Sequence, residues 1–302
     1  MGRPLRFIPS GGGLAEVTNR TIGARHLLRP SDELNEIVSG IWARAQQLYP
    51  VAVIALAVMS NHYHALVWAA DAEVLSDFMR YINSNMAREL GRLHGWRSKL
   101  WARRYRAIVV SDEEAAQVER LKYILAQGTK EGLVARPRDW PGIQCAEALA
   151  SGIKLPGKWV NRTTGRTEEM ELAFSKLPCW EHLSDEVYRS LVMELCEEIE
   201  EEAAAYRQEN GIVLRARRRA RRDLLGLDPH SAPKDSKSTP APQFHAASRE
   251  TRQAMRDSYR RFVLVYREAA ERLRAGRSPV HFPAGCFPPG LPFQSTAAPL
   301  RL

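Results

Sequence analysis

The sequence lacks any apolar run of membrane-spanning length, because its longest purely apolar stretch covers only residues 51–59 and a spanning helix needs about 20. Its cysteines, Cys145, Cys179, Cys196 and Cys286, lack the paired spacing of a zinc site or a disulfide framework. The N-terminus lacks a charged-then-apolar signal pattern, and no internal repeat is visible. These absences predict a soluble protein of the reducing cytoplasm, without a membrane partner.

The charge is strongly biased to one sign. The 302 residues carry a net charge of +9, with a pI near 9.6. Such an excess favours a polyanionic partner through counterion release and long-range attraction. The alternative is a basic surface that is simply solvated.

Hydrophobic periodicity predicts an α+β fold in the first half of the chain. Seven elements are expected in the order strand, helix, strand, strand, helix, strand and helix, at residues 14–22, 31–48, 51–58, 62–68, 72–94, 105–110 and 115–127. Ser111 and Glu114 are expected to form a capping box for the last helix. This order suits a ferredoxin-like or RRM-like antiparallel sheet with helices on one face, followed by a mainly helical C-terminal extension.

Composition predicts how the chain is divided. The expected parts are a flexible leader, a sheet domain, a mainly helical extension with a basic run, a linker, and a last helix with a Pro-rich tail, at residues 1–13, 14–135, 136–229, 230–247 and 248–302. Within the extension, the basic run 215–222 follows acidic residues 197–202. The run either contacts a phosphate backbone or pairs with those acids.

Two histidines form the first half of a candidate site. His62 and His64 flank Tyr63 in a predicted strand, so the two-residue period places both imidazoles on one face. Two such ligands are half of a metal site, although a His-x-His pair also occurs as packed, hydrogen-bonded side chains.

The second half lies on the third predicted helix. Tyr123 and Gln127 are four residues apart, which puts a phenol and a side-chain amide on the same helical face. From this spacing alone, a tyrosine in the helix core is the favoured interpretation.

Taken together, these residues resemble those of the single-tyrosine HUH transposases. Four segments carry the resemblance in the family's order, namely MSNHYHALV at residues 59–67, WARRYR at 101–106, LKYILAQ at 121–127 and KEGLV at 130–134. Within the family, the chain most resembles the REP-associated tyrosine transposases over residues 14–135. It differs from many of them in having Gln127-Gly128 where they have an Asn-Pro pair.

The resemblance implies a metal-dependent enzyme that nicks and rejoins single-stranded or hairpin DNA in transposition. His62, His64 and Gln127 would bind Mg²⁺ or Mn²⁺, and Tyr123 would form a 5′-phosphotyrosine intermediate. A homodimer in which one chain's Tyr123 serves another chain's site is also compatible with it.

DNA contacts are expected from cationic, polar and aromatic residues near these motifs. The candidates are Arg80, Asn83, Arg88, Trp101, Arg103, Arg104, Arg106, Lys122 and Lys130. Each of them also has an ordinary structural interpretation as core or solvated surface.

Two other functions remain open at this stage. An RRM-like sheet with a basic surface can bind single strands without cutting them. An HUH replication or relaxase nuclease shares the chemistry, but usually with a different motif order from the His-before-Tyr order found in this chain.

Overall fold

A computed structural model describes residues 5–233, 242–277, 279–284, 286 and 288–289. Its first seven named elements follow the predicted order: β1 Gly13–Arg20, α1 Asp32–Leu48, β2 Val51–Val58, β3 His62–Ala69, α2 Ala72–Leu93, β4 Arg106–Val110 and α3 Glu114–Leu125. Ser31 caps α1 by accepting a hydrogen bond from the backbone N–H of Leu34 at 3.1 Å.

The capping box predicted for α3 is wrong. The residue that precedes the helix is Glu113, and its side chain does not cap the helix. Ser111 instead donates a hydrogen bond to the Glu113 carboxylate at 2.7 Å. That carboxylate also accepts from the backbone N–H of Ala247 and of Ser248, so this short segment ties α3 to a later part of the chain.

The remaining elements were only partly anticipated. They are α4 Ala146–Ser151, β5 Leu155–Val160, β6 Thr167–Leu172, α5 Asp185–Glu209, α6 Arg217–Leu225, β7 Phe244–His245 and α7 Arg249–Arg274. The hairpin of β5 and β6 and the short strand β7 were not predicted. Residues 234–241 of the expected linker and most of the expected Pro-rich tail lie outside the described residues.

The main sheet has the strand order β2-β3-β1-β4-β7, and all of its pairs except β4-β7 are antiparallel. The predicted α+β class with an antiparallel sheet is therefore confirmed. The helices α1 and α2 share one face as expected, with Trp42 of α1 edge-on to Tyr63 of β3 and Phe78 of α2. The expectation that the helices share one face is wrong for α3, which packs on the opposite face, where Leu121 and Ile124 join Leu66 in a second core.

Later segments of the chain hydrogen-bond to the edge strand β2 and to β4. Along β2, the backbone N–H of Val58 donates to Ile143 O at 2.8 Å, and the N–H of Ser175 donates to Val53 O at 2.8 Å. Along β4, β7 runs parallel at Val109 and Val110. These segments occupy edge groups that would otherwise be open for pairing.

Two glycines let the hairpin of β5 and β6 sit directly on α1. A Cβ at Gly40 would lie 2.1 Å from Lys158 O, and one at Gly157 would lie 2.2 Å from Gly40 N. Because of this close approach, Met170 and Leu172 of β6 are buried in the same core as α1. None of the helices in the described part of the chain is both long and apolar enough to span a membrane.

Candidate active site

The strand β3 presents its two histidines to the face that α3 covers. Their ring centroids are 5.1 Å apart and nearly perpendicular. Between them, Tyr63 points into the opposite core, where it is fully buried and donates a hydrogen bond to Asn83 Oδ1 at 3.0 Å. The alternation expected from the strand period is therefore observed.

A hydrogen-bond chain fixes the tautomer of His62. The Asn61 amide donates through Nδ2 to Ala24 O at 3.1 Å, so its Oδ1 is the atom that lies 2.7 Å from His62 Nδ1. An amide oxygen only accepts, so His62 Nδ1 carries the hydrogen and Nε2 keeps its lone pair. Burial, followed by the charges of His64, Arg20 and Lys130, lowers the pKa of His62 well below 6.5, which keeps the ring neutral.

His64 is oriented by a buried carboxylate. Its Nδ1 donates to Glu16 Oε1 at 2.7 Å, and Arg120 Nη1 donates to Glu16 Oε2 at 3.0 Å. Burial alone would raise the pKa of Glu16, but the hydrogen bonds and charges of His64 and Arg120 outweigh it and lower that pKa. A histidine whose Nδ1–H is held by a carboxylate offers Nε2 as a ligand, the usual arrangement around protein-bound metals.

Tyr123 lies directly beside this pair. Its ring centroid is 5.4 Å from that of His64. Two cations cover its ring, with Lys130 Nζ 3.4 Å and Arg120 Cζ 4.7 Å from the centroid. The phenol therefore adjoins both the imidazoles and positive charge, a setting that suits an anionic reactant such as a phosphate.

Gln127 follows α3 in a turn that Gly128 allows through its positive φ of 86°. The Gln127 side chain is 1% exposed, and its Nε2 donates to the backbone oxygen of Tyr123 at 3.1 Å. The side-chain oxygen is the atom of Gln127 that would serve a cation.

The donor set fits a divalent cation. Two imidazoles whose Nδ1 atoms are engaged elsewhere, together with an amide oxygen, suit Mn²⁺, or Mg²⁺ with several waters. In the part of the chain that the structure describes, no group of three or more His, Cys, Asp and Glu side chains is placed to bind a metal ion. An ion here would therefore depend on the amide and on water or phosphate oxygens for its remaining positions.

Seven of the nine residues expected to contact DNA fall into two groups. On the α2 side of the sheet, a cavity of 730 Å³ is lined by Arg80, Asn83, Trp101, Arg103 and Arg104. Arg80, Arg103 and Arg104 are exposed. Asn83 and Trp101 also have internal roles, since Asn83 accepts hydrogen bonds from Asn19 and Tyr63, and Trp101 Nε1 donates to Asn83 O at 2.9 Å.

The second group lies near α3. Lys130 covers Tyr123, whereas Lys122 Nζ is bound by Glu198 at 2.9 Å and Glu202 at 2.8 Å. Away from both groups, Arg88 is exposed on α2 and Arg106 lies at the start of β4.

The acidic part of α5 and the basic α6 do not pair with each other as one interpretation of their sequences suggested. The acids of α5 bind Lys122 and, through Glu200, Arg136. Arg217 of α6 binds Asp139 at 2.8 Å, and Arg215 pairs with Asp223.

Sequence reasoning missed Glu16, Asn61 and Arg120. Glu16 carried a usable signal, because a carboxylate at an inward-facing position of an apolar strand requires a partner. Arg120 lies one helical turn before Tyr123, which places it on the same helical face. Neither position reveals its partner until the strand and the helix are packed together.

Residues 24–127 match the model of the family described as IS200-like transposases. Among solved structures, a REP-associated tyrosine transposase bound to a REP hairpin is similar at 18% identity and a TM-score of 0.42, over 50% of this chain and 87% of that one. A Deinococcus radiodurans protein described as a transposase is similar at 20% identity and a TM-score of 0.28, over 40% of this chain and 95% of that one. No curated protein matches. The match of residues 24–127 to the model of the IS200-like transposases confirms the resemblance drawn from the motifs.

Proposed function

We propose that this protein is a metal-dependent single-strand DNA endonuclease and strand transferase that acts in DNA transposition through Tyr123. The observation that carries the proposal is the 5.4 Å contact between the rings of Tyr123 and His64, with His62 alongside. A nucleophile, two available imidazole nitrogens and two cations thus lie within one small region of a single chain.

His62, His64 and Gln127 would bind a Mg²⁺ or Mn²⁺ ion. When bound, such an ion supplies Lewis-acid stabilisation of the scissile phosphate. Glu16 and Asn61 hold the two imidazoles in the required tautomer, so the ligand atoms are oriented before the ion arrives.

Tyr123 would attack the phosphorus atom through its phenol oxygen. The bond between phosphorus and the 3′ oxygen breaks, the phenol gives up its proton, and the departing 3′ oxygen takes one up. The products are a 5′-phosphotyrosine and a free 3′-hydroxyl. Because the new ester conserves the phosphodiester bond, a 3′-hydroxyl from another strand can reverse the attack and join new ends.

A duplex conceals the reacting strand, so the substrate would be single-stranded or hairpin DNA. Positive charge is supplied on one face of the sheet by Lys130 and on the other face by the surface of Arg80, Arg103 and Arg104. Since the histidines and Tyr123 adjoin within one chain, cleavage would use a site formed by one subunit, also if two copies associate as a homodimer.

The test is covalent capture. The full chain is incubated with Mn²⁺ and a library of single-stranded hairpins with randomised flanks, and protein–DNA adducts that survive denaturing gels are counted. Tyr123→Phe should abolish the adduct and keep DNA binding, whereas Tyr81→Phe on the opposite face of the sheet should keep both. An adduct with Tyr123→Phe refutes the role of Tyr123, whereas no adduct with the unaltered chain under any divalent ion refutes the proposal and leaves a non-catalytic binding module.

A further inference from the structure

A second cavity lies against Tyr123, between α3 and α5. Its volume is 610 Å³, within the range of about 300–1,000 Å³ typical of ligand sites. Tyr123 and Arg120 line it from α3, Thr129 and Lys130 from the following turn, and Arg207 from α5. Since α5 lies outside the matched residues 24–127, one wall of the cavity comes from beyond the family domain.

Three polar atoms of the lining residues are buried and lack a hydrogen-bond partner among the described residues. They are Arg120 Nε, Thr129 Oγ1 and Arg207 Nη1. A buried donor without a partner is costly, so such groups normally signal a ligand or ordered water. Three of them around one cavity indicate an acceptor-rich ligand.

The lining has four cations and three acids. Arg120, which binds Glu16, and Lys130, whose Nζ lies 3.7 Å from Glu131, are partly neutralised, which leaves Arg207 as the main source of positive charge. The acids of the lining are already engaged: Glu202 binds Lys122 at 2.8 Å, Glu131 accepts from the backbone N–H of Gly128 at 2.6 Å, and Glu119 lies 3.1 Å from His245 Nε2. The available hydrogen-bonding capacity is therefore mainly that of donors.

The remaining surface of the cavity suits a flat apolar group. Ala126, Ile199, Ala203 and Ile212 line it, together with Tyr206, which is 56% exposed. A nucleobase stacks on surfaces of this kind without sequence preference. The same cavity thus contains hydrogen-bond donors for a phosphate and an apolar surface on which a base can stack.

We propose that this cavity is a binding subsite for one nucleotide of the single strand, adjacent to the phosphate that Tyr123 attacks. Arg120, Thr129 and Arg207 contact its phosphate, and the apolar wall of α5 contacts its base. The inference rests on the proposed function, because only a DNA strand cut at Tyr123 has a nucleotide at this place.

The experiment measures binding without cleavage, in full-length chains that carry Tyr123→Phe. The probe is a fluorescein-labelled 30-nucleotide single strand of randomised sequence, titrated at several salt concentrations. Thr129→Val and Arg207→Ala should each weaken binding roughly tenfold. Arg207→Ala should also make the slope of log affinity against log salt less negative by about 0.7. Arg166→Ala, which removes an exposed arginine of the loop between β5 and β6, is the matched control and should change affinity less than twofold.

Thr129→Val also separates a binding role from a structural one. Without ligand, removal of an unpaired buried hydroxyl should leave the melting temperature unchanged or raised. Weaker DNA binding with an unimpaired melting temperature therefore supports the subsite. The subsite is refuted if either variant binds DNA like the Tyr123→Phe parent, or if Thr129→Val weakens binding only by lowering the melting temperature.

Inorganic phosphate is the competing occupant. Millimolar phosphate is added to the complexes of the labelled strand with the parent and with Thr129→Val. If it displaces no more of the strand from the parent than from the variant, the nucleotide assignment stands. If phosphate alone raises the parent's melting temperature as much as the oligonucleotide does, the cavity holds free phosphate and the nucleotide assignment is wrong. Adduct formation by the unaltered chain is scored separately, so loss of the subsite and loss of the proposed function give different results.

Discussion

Nδ1 of His64 lies 2.7 Å from Oε1 of Glu16, inside the sheet face that α3 covers. The other oxygen of Glu16 binds Arg120, whose guanidinium lies over Tyr123. One buried carboxylate thus positions a proposed metal ligand and, through Arg120, the proposed nucleophile.

Glu16→Gln should lower the affinity for the metal ion more than it lowers the stability of the fold. Loss of the charge-assisted bond to His64 should raise the Mn²⁺ concentration needed for half-maximal adduct formation by about 10–100-fold. Direct Mn²⁺ binding, measured by electron paramagnetic resonance, should fall in parallel. Glu147→Gln, an exposed change in α4, is the control. An unaltered Mn²⁺ requirement in Glu16→Gln would refute the positioning role.

Gly40→Ala should destabilise the protein, although alanine normally favours a helix over glycine by about 0.5–1 kcal/mol. The added Cβ would meet the backbone of Lys158 at 2.1 Å, and crowding of this kind typically costs about 1–3 kcal/mol. The free energy of unfolding in urea measures the effect. A more stable variant would show that β5 does not pack on α1 as described.

The arginines of the α2 side should account for part of the salt dependence of DNA binding. Combined Arg80→Ala and Arg103→Ala should weaken binding to single strands and make the slope of log affinity against log salt less negative by about 1.4. Lys122→Gln should change the slope less, because Glu198 and Glu202 already neutralise its ammonium group. Equal slopes for the double variant and the unaltered chain would remove this surface from the DNA-binding site.

Acid should detach the start of α7 before it affects α2. Hydrogen bonds from Ser248 and Ser111 lower the pKa of Glu113 from 4.5 to about 2. Because the folded pKa is lowered, the attachment is fully present above about pH 4.5 and is lost as the pH falls towards 2. Hydrogen-exchange protection at the start of α7 should fall across this range, while protection in α2 persists.

Glu113→Gln supplies the comparison for this pH effect. The variant should show reduced protection at the start of α7 already at pH 6, with little further pH dependence of the attachment. Identical protection in the variant and the unaltered chain between pH 6 and pH 3 would contradict the role of the Glu113 carboxylate.

The sequence allowed prediction of the parts of the fold that local patterns specify. The period of two placed His62 and His64 together, and the boundaries of β2 agree with the prediction because Pro50 and the unbroken apolar run define that strand. The hairpin of β5 and β6 was not predicted because Pro156 and Gly157 interrupt one strand and β6 is largely exposed. Its stability comes from contact with α1, which no local pattern encodes.

The candidate site likewise combines residues that local motifs predict with residues that only tertiary packing brings together. Tyr123 and Gln127 were proposed as site residues from linked motifs, whereas Glu16 comes into contact with His64 and Arg120 only when β1 lies between β3 and β4. The cavity beside Tyr123 could not be predicted, because α5 follows α3 by about sixty residues and its position depends on tertiary packing.

The hydrogen bonds that later segments make along β2 and β4 constrain how two molecules can associate. A second copy could pair with β2 only after Ile143 and Ser175 had left it, and with β4 only after β7 had left it. Each route breaks existing bonds before it forms new ones. A homodimer of this protein that keeps these contacts must therefore meet through helices, loops or the two-residue strand β7.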